Sequence, residues 1–252
     1  MNQLEYIRTS IPNDVALKIA SSLQVKDVCA LGSCSRFWSE LCGSDYIWES
    51  LSRERWPFLG LLNGESSSSL QNQHSIVKGW KSFYVQKHNE MAFRAGNLIK
   101  FVEQCMVSDS LAVGDYLKAI EELSSMQLGY KDVEILLLKP NLSVFLNLIG
   151  LHYCINWLGV PAQYMAESLQ TCKISERQVH VKWWKLGRWF YGFRMRDESH
   201  SRLVSLEDLA TAKEAEVLWV LQRGAIHEVL QVQISTANSS IHHSCQGLLG
   251  LR

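Results

Sequence analysis

The hydrophobic pattern of the chain changes once, near residue 178, and this change limits the folds that the chain can adopt. Before that point apolar residues recur at the three- and four-residue steps of a helix face, as Trp80, Phe83 and Tyr84 do. From Gln178 to Trp184 (QVHVKWW) they alternate instead with mostly polar residues, which is the two-residue period of a strand. The sequence therefore predicts an α+β fold, with helices first and a small antiparallel sheet at the end.

Three further segments of the last third of the chain are strand-like: Arg188–Arg196, Val217–Leu221 and Val229–Ile234. Ser205 has the character of a helix N-cap, since Asp208 follows three residues later. We therefore expect a short Ala-rich helix from Ser205 to about Glu214, between the strands.

The organisation of the chain follows from its composition. The pattern of residues 4–56 predicts short amphipathic helices. Residues 57–78 contain a Ser-, Gly- and Asn-rich stretch that favours a flexible linker. Residues 79–234 form the predicted mixed α+β domain, and residues 235–252 a frayed, flexible tail. The sequence shows no internal repeat and no WD, leucine-rich or kelch pattern.

Charge and cysteine content exclude several classes of protein. Lysine plus arginine and aspartate plus glutamate both number 25, so no global field attracts the chain to nucleic acid or anionic lipid. The seven cysteines are odd in number and form no Cys-x-x-Cys pair, which favours reduced thiols. The first residues lack the apolar stretch of a secretion signal. We expect an intracellular protein of the nucleus or cytoplasm.

The most apolar stretch, Leu142–Leu158, is about long enough to be considered as a membrane span. Asn147, His152 and Asn156 interrupt it, and a helix that is apolar nearly all round also suits the centre of a helical core. We interpret it as a core helix, with His152 hydrogen-bonded inside the core, and expect no membrane association.

The first segment carries more large apolar side chains than so small a unit can bury. Pro12 restricts the chain just before a helix, and Val15, Ile19 and Leu23 follow at steps of four to give one apolar stripe. An apolar surface left exposed on a helical module usually marks a protein partner.

The same segment resembles the F-box family. The resemblance lies in the order and spacing of these residues: Ile11-Pro12, Val25-Lys26-Asp27-Val28, Ser35-Arg36-Phe37-Trp38, Leu41, Ile47-Trp48 and Leu51. Departures from the family pattern are Ile11 in place of the more usual leucine, Phe37 in place of a basic residue, and Gly32 within the second helix.

The resemblance implies that this module docks on a Skp-type adaptor, which in turn binds a cullin. The chain would then be a non-catalytic substrate receptor of a Skp–cullin–F-box ubiquitin ligase, presenting an unknown protein substrate. Adaptor-binding residues carried over by motif position are Ile11, Pro12, Val15, Ile19, Leu23, Val28, Leu31, Trp38 and Trp48. Some of these must also hold the module together, and the sequence does not separate the two roles.

Basic and aromatic residues are mixed around the predicted strands, and three interpretations are open. The simplest is a sheet with aromatic residues on its core face and cations in solvent, neutralised by the acidic residues that follow. The second is that the cations and aromatics hold the substrate; the candidate residues are Lys182, Trp184, Arg188, Arg194 and Arg196. The third is binding of single-stranded nucleic acid by the strands around residues 180–196, since aromatics stack on bases and cations contact phosphates. In that case the F-box would be degenerate or would serve only the turnover of the chain itself.

No pattern of catalysis or cofactor binding is present. The sequence contains no P-loop, no Gly-x-Gly-x-x-Gly, no His-Glu-x-x-His and no Gly-x-Ser-x-Gly. His242, His243 and Cys245 are metal ligands by type, but they lie in a polar tail without a fourth ligand nearby. We expect no enzyme activity, no metal site and no cofactor.

Overall fold

The structure is a computed structural model that describes residues 11–57 and 79–237. The chain divides into two compact units, Met1–Glu90 and Met91–Arg252. The predicted linker and most of the predicted tail lie outside the described residues. The boundary between the units lies inside the long helix Trp80–Cys105, between Glu90 and Met91. The sequence predicted an earlier start of the second domain, at residue 79.

The first unit is entirely helical in its described residues. It contains α1 (Asn13–Ser21), α2 (Val25–Gly32), α3 (Arg36–Cys42), α4 (Asp45–Arg55) and the first turns of α5 (Trp80–Cys105). The start of α3 is fixed by Ser35, whose hydroxyl accepts a hydrogen bond of 3.3 Å from the Trp38 backbone N–H. A buried cluster joins these helices, and its largest member is Trp48, whose indole Nε1 donates to the Cys42 carbonyl at 2.7 Å.

The first turns of α5 complete this core. The Tyr84 ring packs edge-on against Trp48 at 5.3 Å between ring centroids, and its hydroxyl accepts a hydrogen bond of 2.8 Å from Arg55 Nη1. The Asp45 carboxylate accepts a hydrogen bond of 2.8 Å from the Trp80 backbone N–H, so it caps the beginning of α5 from another helix. The first unit therefore depends on residues that lie well beyond its four short helices in sequence.

The second unit combines helices with an antiparallel sheet, and this confirms the predicted α+β class. After the rest of α5 it contains β1 (Ser110–Ala112), α6 (Val113–Met126), α7 (Tyr130–Leu136), α8 (Val144–Asn156), α9 (Ala162–Thr171), β2 (Gln178–Lys185), β3 (Trp189–Phe190), β4 (Phe193–Arg194), β5 (Glu198–Ser205), α10 (Leu206–Ala210), α11 (Ala215–Arg223) and β6 (Val229–Thr236).

The main sheet has four strands in the order β1-β6-β2-β5, and every neighbouring pair is antiparallel. Val179, Val181 and Trp183 of β2 alternate with residues of the opposite face and are fully buried, which is the pattern that the sequence predicted. β3 and β4 pair only with each other, as a separate two-stranded ribbon.

Helix α8 is the centre of the second core, and from Val144 to Cys154 each of its residues is buried. Its Asn147 is satisfied: its amide nitrogen donates to the carbonyls of Leu137 at 2.7 Å and Lys139 at 3.1 Å, and Arg177 donates to its oxygen. Its His152 shares a hydrogen bond of 2.6 Å with the Tyr116 hydroxyl, as expected of a core histidine. No helix in the described part of the chain is long and apolar enough to cross a membrane.

Some predicted elements were wrong in type or in extent. Val217–Leu221, predicted as a strand, lies in helix α11, where Val217, Val220 and Leu221 share the buried face at helical spacing. A short apolar run is compatible with both the period of a helix and the two-residue period of a strand, so tertiary packing decided its conformation. The helix expected from Ser205 to Glu214 ends earlier, at Ala210, although Ser205 does cap it by accepting a hydrogen bond from the Asp208 backbone N–H at 3.1 Å.

The observed strands differ from the predicted strands in two further places. The strand-like run Arg188–Arg196 forms two very short strands joined by a tight turn at Tyr191 and Gly192. The edge strand β5 (Glu198–Ser205) was not predicted, because its sequence is mostly polar and lacks a clear alternation.

We predict that Tyr84→Ala unfolds the first unit more easily, although Tyr84 lies outside the four short helices. The change removes a buried ring and the acceptor for Arg55, so the free energy of unfolding should fall by about 3 kcal/mol. Urea denaturation followed by tryptophan fluorescence measures this. The neighbouring Val85 is 46% exposed and Val85→Ala should cost less than about 0.5 kcal/mol; equal effects of the two variants would contradict the packing described.

We also predict a pH-dependent stability of the second unit. Burial lowers the pKa of His152 from 6.5 to about 4, so between these values the unfolded state binds a proton that the folded state does not. The free energy of unfolding should therefore decrease by about 1.4 kcal/mol per pH unit as the pH falls through this window. Urea denaturation at pH 7 and pH 5 measures the difference, and His152→Gln should remove this contribution; an unchanged pH dependence in that variant would count against it.

Candidate interaction surfaces

Helix α1 presents an apolar stripe to solvent. Ala16 and Ala20 have no exposed surface and attach the helix to the rest of the first unit. Val15 and Ile19 are one helical turn apart, and their side chains are 45% and 43% exposed. The predicted stripe of branched residues therefore exists, but the small alanines beside it, rather than the stripe itself, make the intramolecular contact.

The predicted adaptor-binding residues fall into three groups by exposure. Pro12, Val15 and Ile19 are exposed. Half-buried residues are Ile11, Leu23, Leu31 and Trp38, of which the last three pack against the core of the first unit. Val28 and Trp48 are buried inside that core. The structure thus separates side chains that are available to a partner from side chains that stabilise the module.

The second surface is the aromatic hairpin, which we define as residues 186–196. The simplest interpretation of the sequence placed the aromatic residues on the core face of a sheet, and for this segment that interpretation was wrong. Trp189, Phe190, Tyr191 and Phe193 are 73%, 64%, 88% and 78% exposed. The reason is topological: β3 and β4 pair only with each other, so they have no core face, whereas Trp183 in the main sheet is fully buried.

The base of the aromatic hairpin is held by hydrogen bonds. The Gly187 N–H donates to Asp197 Oδ1 at 2.9 Å, and the Met195 N–H donates to the Arg188 carbonyl at 2.9 Å. A Cβ atom at Gly187 would lie 2.0 Å from the Met195 carbonyl oxygen, so only glycine allows the two arms to approach this closely. At the tip, Tyr191 and Gly192 have φ values of 48° and 84°, which is the positive-φ pair of a tight hairpin turn.

The basic residues predicted to bind substrate lie on and beside the hairpin. The Lys182 ammonium lies 4.8 Å from the centroid of the Trp184 ring, on the face of β2 opposite the core. Arg188 pairs with Glu228 at 3.4 Å and Arg194 with Asp197 at 2.9 Å. Part of the basic charge is therefore neutralised within the second unit, as the first interpretation expected.

Arg196 is also exposed, and no carboxylate in the described part of the chain pairs with it. The structure thus brings Arg188, Arg194 and Arg196 together on the hairpin, and places Lys182 and Trp184 on the neighbouring strand β2.

His180 on β2 contacts two serine side chains. His180 Nε2 is hydrogen-bonded to the Ser201 hydroxyl, but its Nδ1 faces the Ser235 hydroxyl at 3.5 Å. A serine–histidine pair without a carboxylate on the second ring nitrogen lacks the group that orients the base in a catalytic triad. Within residues 11–57 and 79–237 no three His, Cys, Asp or Glu side chains are grouped to hold a metal ion. His242, His243 and Cys245 lie outside the described residues.

The module that carries the first surface matches a known family. The family described as F-box-like matches residues 9–54. The human F-box/WD repeat-containing protein 12 is 31% identical over 78 residues, which are 31% of this chain and 15% of the human protein. The chain thus matches only a small part of that relative, and no solved structure matches it.

The matched residues coincide with the module formed by α1 to α4, in which Ser35 caps the start of α3 and Trp48 is buried in the core. Residues 9–54 therefore form an F-box-like domain.

Proposed function

We propose that this chain is the substrate receptor of a Skp–cullin–F-box ubiquitin ligase in the nucleus or cytoplasm. An F-box domain implies an adaptor-binding role in such a ligase. The observation that supports docking here is the exposed stripe of α1: Val15 and Ile19 face solvent on a helix that is already anchored by Ala16 and Ala20. Branched apolar side chains that the fold leaves uncovered are suited to a helical partner.

The proposed docking surface consists of Pro12, Val15 and Ile19, with Leu23 and Trp38 at its half-buried edge. Val28 and Trp48 contribute by holding the helices in place rather than by contact. Burial of one large aliphatic side chain is worth about 1.5–3 kcal/mol, so two such residues can account for much of a specific interaction.

The mechanism is one of proximity. The first unit binds the adaptor, the second unit holds a target protein, and the enzyme recruited by the cullin modifies that target. Tethering raises the effective concentration of target and enzyme without any chemistry on this chain. The receptor is accordingly proposed to be non-catalytic and to need no cofactor.

A second candidate function is binding of single-stranded nucleic acid at the aromatic hairpin. Its support is the exposure of Trp189, Phe190 and Phe193 beside several arginines. The carboxylates of Glu228 and Asp197, which pair with Arg188 and Arg194, would repel phosphates at the same place. A steep decrease of oligonucleotide affinity with salt concentration would favour this alternative.

We predict that Val15→Gln combined with Ile19→Gln weakens adaptor binding by a factor of about ten or more. Glutamine is a good helix former, so α1 should remain folded while its apolar stripe is lost. Co-purification of the full chain with a Skp-type adaptor, followed by calorimetric titration, measures the effect, and circular dichroism checks the fold.

Val85→Gln is the matched control, since Val85 lies in a helix of the same unit and is exposed to the same degree as Val15. It should leave the affinity unchanged. If well-folded wild-type protein does not bind the adaptor, the receptor function is excluded; if the control weakens binding as much as the double variant, the docking surface is misplaced.

A further inference from the structure

We propose that the aromatic hairpin (residues 186–196) is the target-binding site of the second unit, and that it takes a protein segment in which acidic residues flank apolar ones. This inference rests on the proposed receptor function, since it assigns the class of target to that receptor.

The first argument is the amount of uncovered apolar surface. Four aromatic side chains lie within five consecutive positions, and the least exposed of them, Phe190, still has 64% of its surface in solvent. Scattered single apolar residues are normal on a protein surface, but a contiguous cluster of this kind marks an interaction site. Aromatic residues and arginine are also the types in which the energy of protein interfaces is concentrated.

The distribution of these side chains indicates how a partner engages. Phe190 lies directly opposite Phe193 in the ribbon, and Trp189 lies opposite Arg194. Because residues opposite each other share one face, the ribbon has a purely aromatic face and a face with one aromatic and one cationic residue. A target segment with both apolar and acidic residues matches these two faces.

The hairpin is rigidly held before any partner binds. At its base the Gly187 N–H donates to the Asp197 carboxylate and the Met195 N–H donates to the Arg188 carbonyl. The Leu186 N–H donates to the Glu228 carbonyl at 2.7 Å. Ordering a loop on binding costs free energy, and a preformed hairpin avoids much of that cost. The backbone that carries the exposed rings is therefore held at its base before a partner binds.

The tip carries a residue that local conformation disfavours. Tyr191 adopts a φ of 48°, in a turn where asparagine followed by glycine is strongly preferred. A bulky side chain in the left-handed region is uncommon, and such strain is often found where a side chain contributes to function. A contact made by the Tyr191 ring, 88% exposed in the free chain, explains why tyrosine occupies this position.

The charge pattern selects an acidic partner. The chain has no net charge, yet Arg196 beside the rings and Lys182 on the neighbouring strand pair with no carboxylate in the part of the chain that the structure describes. These two cations are available to carboxylates of a partner.

A protein segment suits this arrangement better than a polyanion does. A nucleic acid would bring a phosphate at every step, including positions next to Glu228 and Asp197. A peptide can place its carboxylates near Arg196 and Lys182 alone and its apolar side chains on the rings. Complementary charge at the border of an apolar centre directs the choice of partner more than it adds affinity.

The test is selection of a random dodecapeptide display library on the immobilised full-length chain. Selected peptides should be enriched in Asp and Glu next to Leu, Phe or Trp. Phe190→Ser combined with Phe193→Ser should weaken their binding by about ten-fold or more, and Arg196→Glu should weaken acidic clones by several-fold at low salt. Fluorescence polarisation of the individual synthetic peptides measures both effects.

Phe93→Ser is the matched control, because Phe93 on α5 is 71% exposed and lies outside the hairpin. It should leave peptide affinity unchanged, and thermal unfolding of all variants should match the wild type because the altered side chains are exposed. Selected peptides without acidic enrichment, or equal binding by the hairpin variants, would overturn the proposal.

Two further outcomes would also overturn it. In the first, a single-stranded oligothymidylate binds more tightly than the selected peptides, and this binding depends on Phe190 and Phe193. In the second, vesicles containing phosphatidylserine do the same. Adaptor binding by the same variants is measured separately. Loss of peptide binding with intact adaptor binding supports the assignment, whereas peptide binding without any adaptor binding would refute the receptor function but not the surface.

Discussion

Four short helices cannot bury all of the large apolar side chains that this sequence gives them, and this limit shapes the first unit. Some of these apolar side chains are covered by the start of α5, where Tyr84 packs against Trp48 and accepts a hydrogen bond from Arg55. Others are left uncovered, because α1 is anchored by small alanines and its branched residues Val15 and Ile19 face solvent. The following helix thus completes the core of the module, while the stripe on α1 stays exposed.

In the second unit the most apolar helix is buried instead of exposed. Helix α8 is buried on all sides, so its polar residues have to be satisfied internally. Asn147 is bonded by Arg177 and by two carbonyls, and His152 by the Tyr116 hydroxyl. The low pKa of His152 follows from the same burial, since desolvation disfavours the charged ring. The core that results supports a sheet from which the aromatic hairpin is separate.

The two exposed surfaces have a common physical basis. Each consists of apolar side chains on a backbone that is already fixed by other contacts: Ala16 and Ala20 fix α1, and Gly187 with its hydrogen bonds fixes the hairpin. Preorganised apolar surface loses little conformational entropy when a partner covers it. The proposed receptor function needs two such surfaces, and the described residues include one on each unit.

The sequence by itself determined the α+β class, strand β2, the capping role of Ser205 and the F-box-like module, because these depend on local periodicity, cap chemistry and spaced motifs. Tertiary structure decided what local pattern leaves ambiguous. Val217–Leu221 is a helix because its apolar residues are buried at helical spacing. Among the motif residues, Val15 is exposed while Val28 is buried, although both are branched apolar residues on amphipathic helices. The hairpin rings are exposed because β3 and β4 pair only with each other, and strand pairing depends on contacts between residues far apart in sequence.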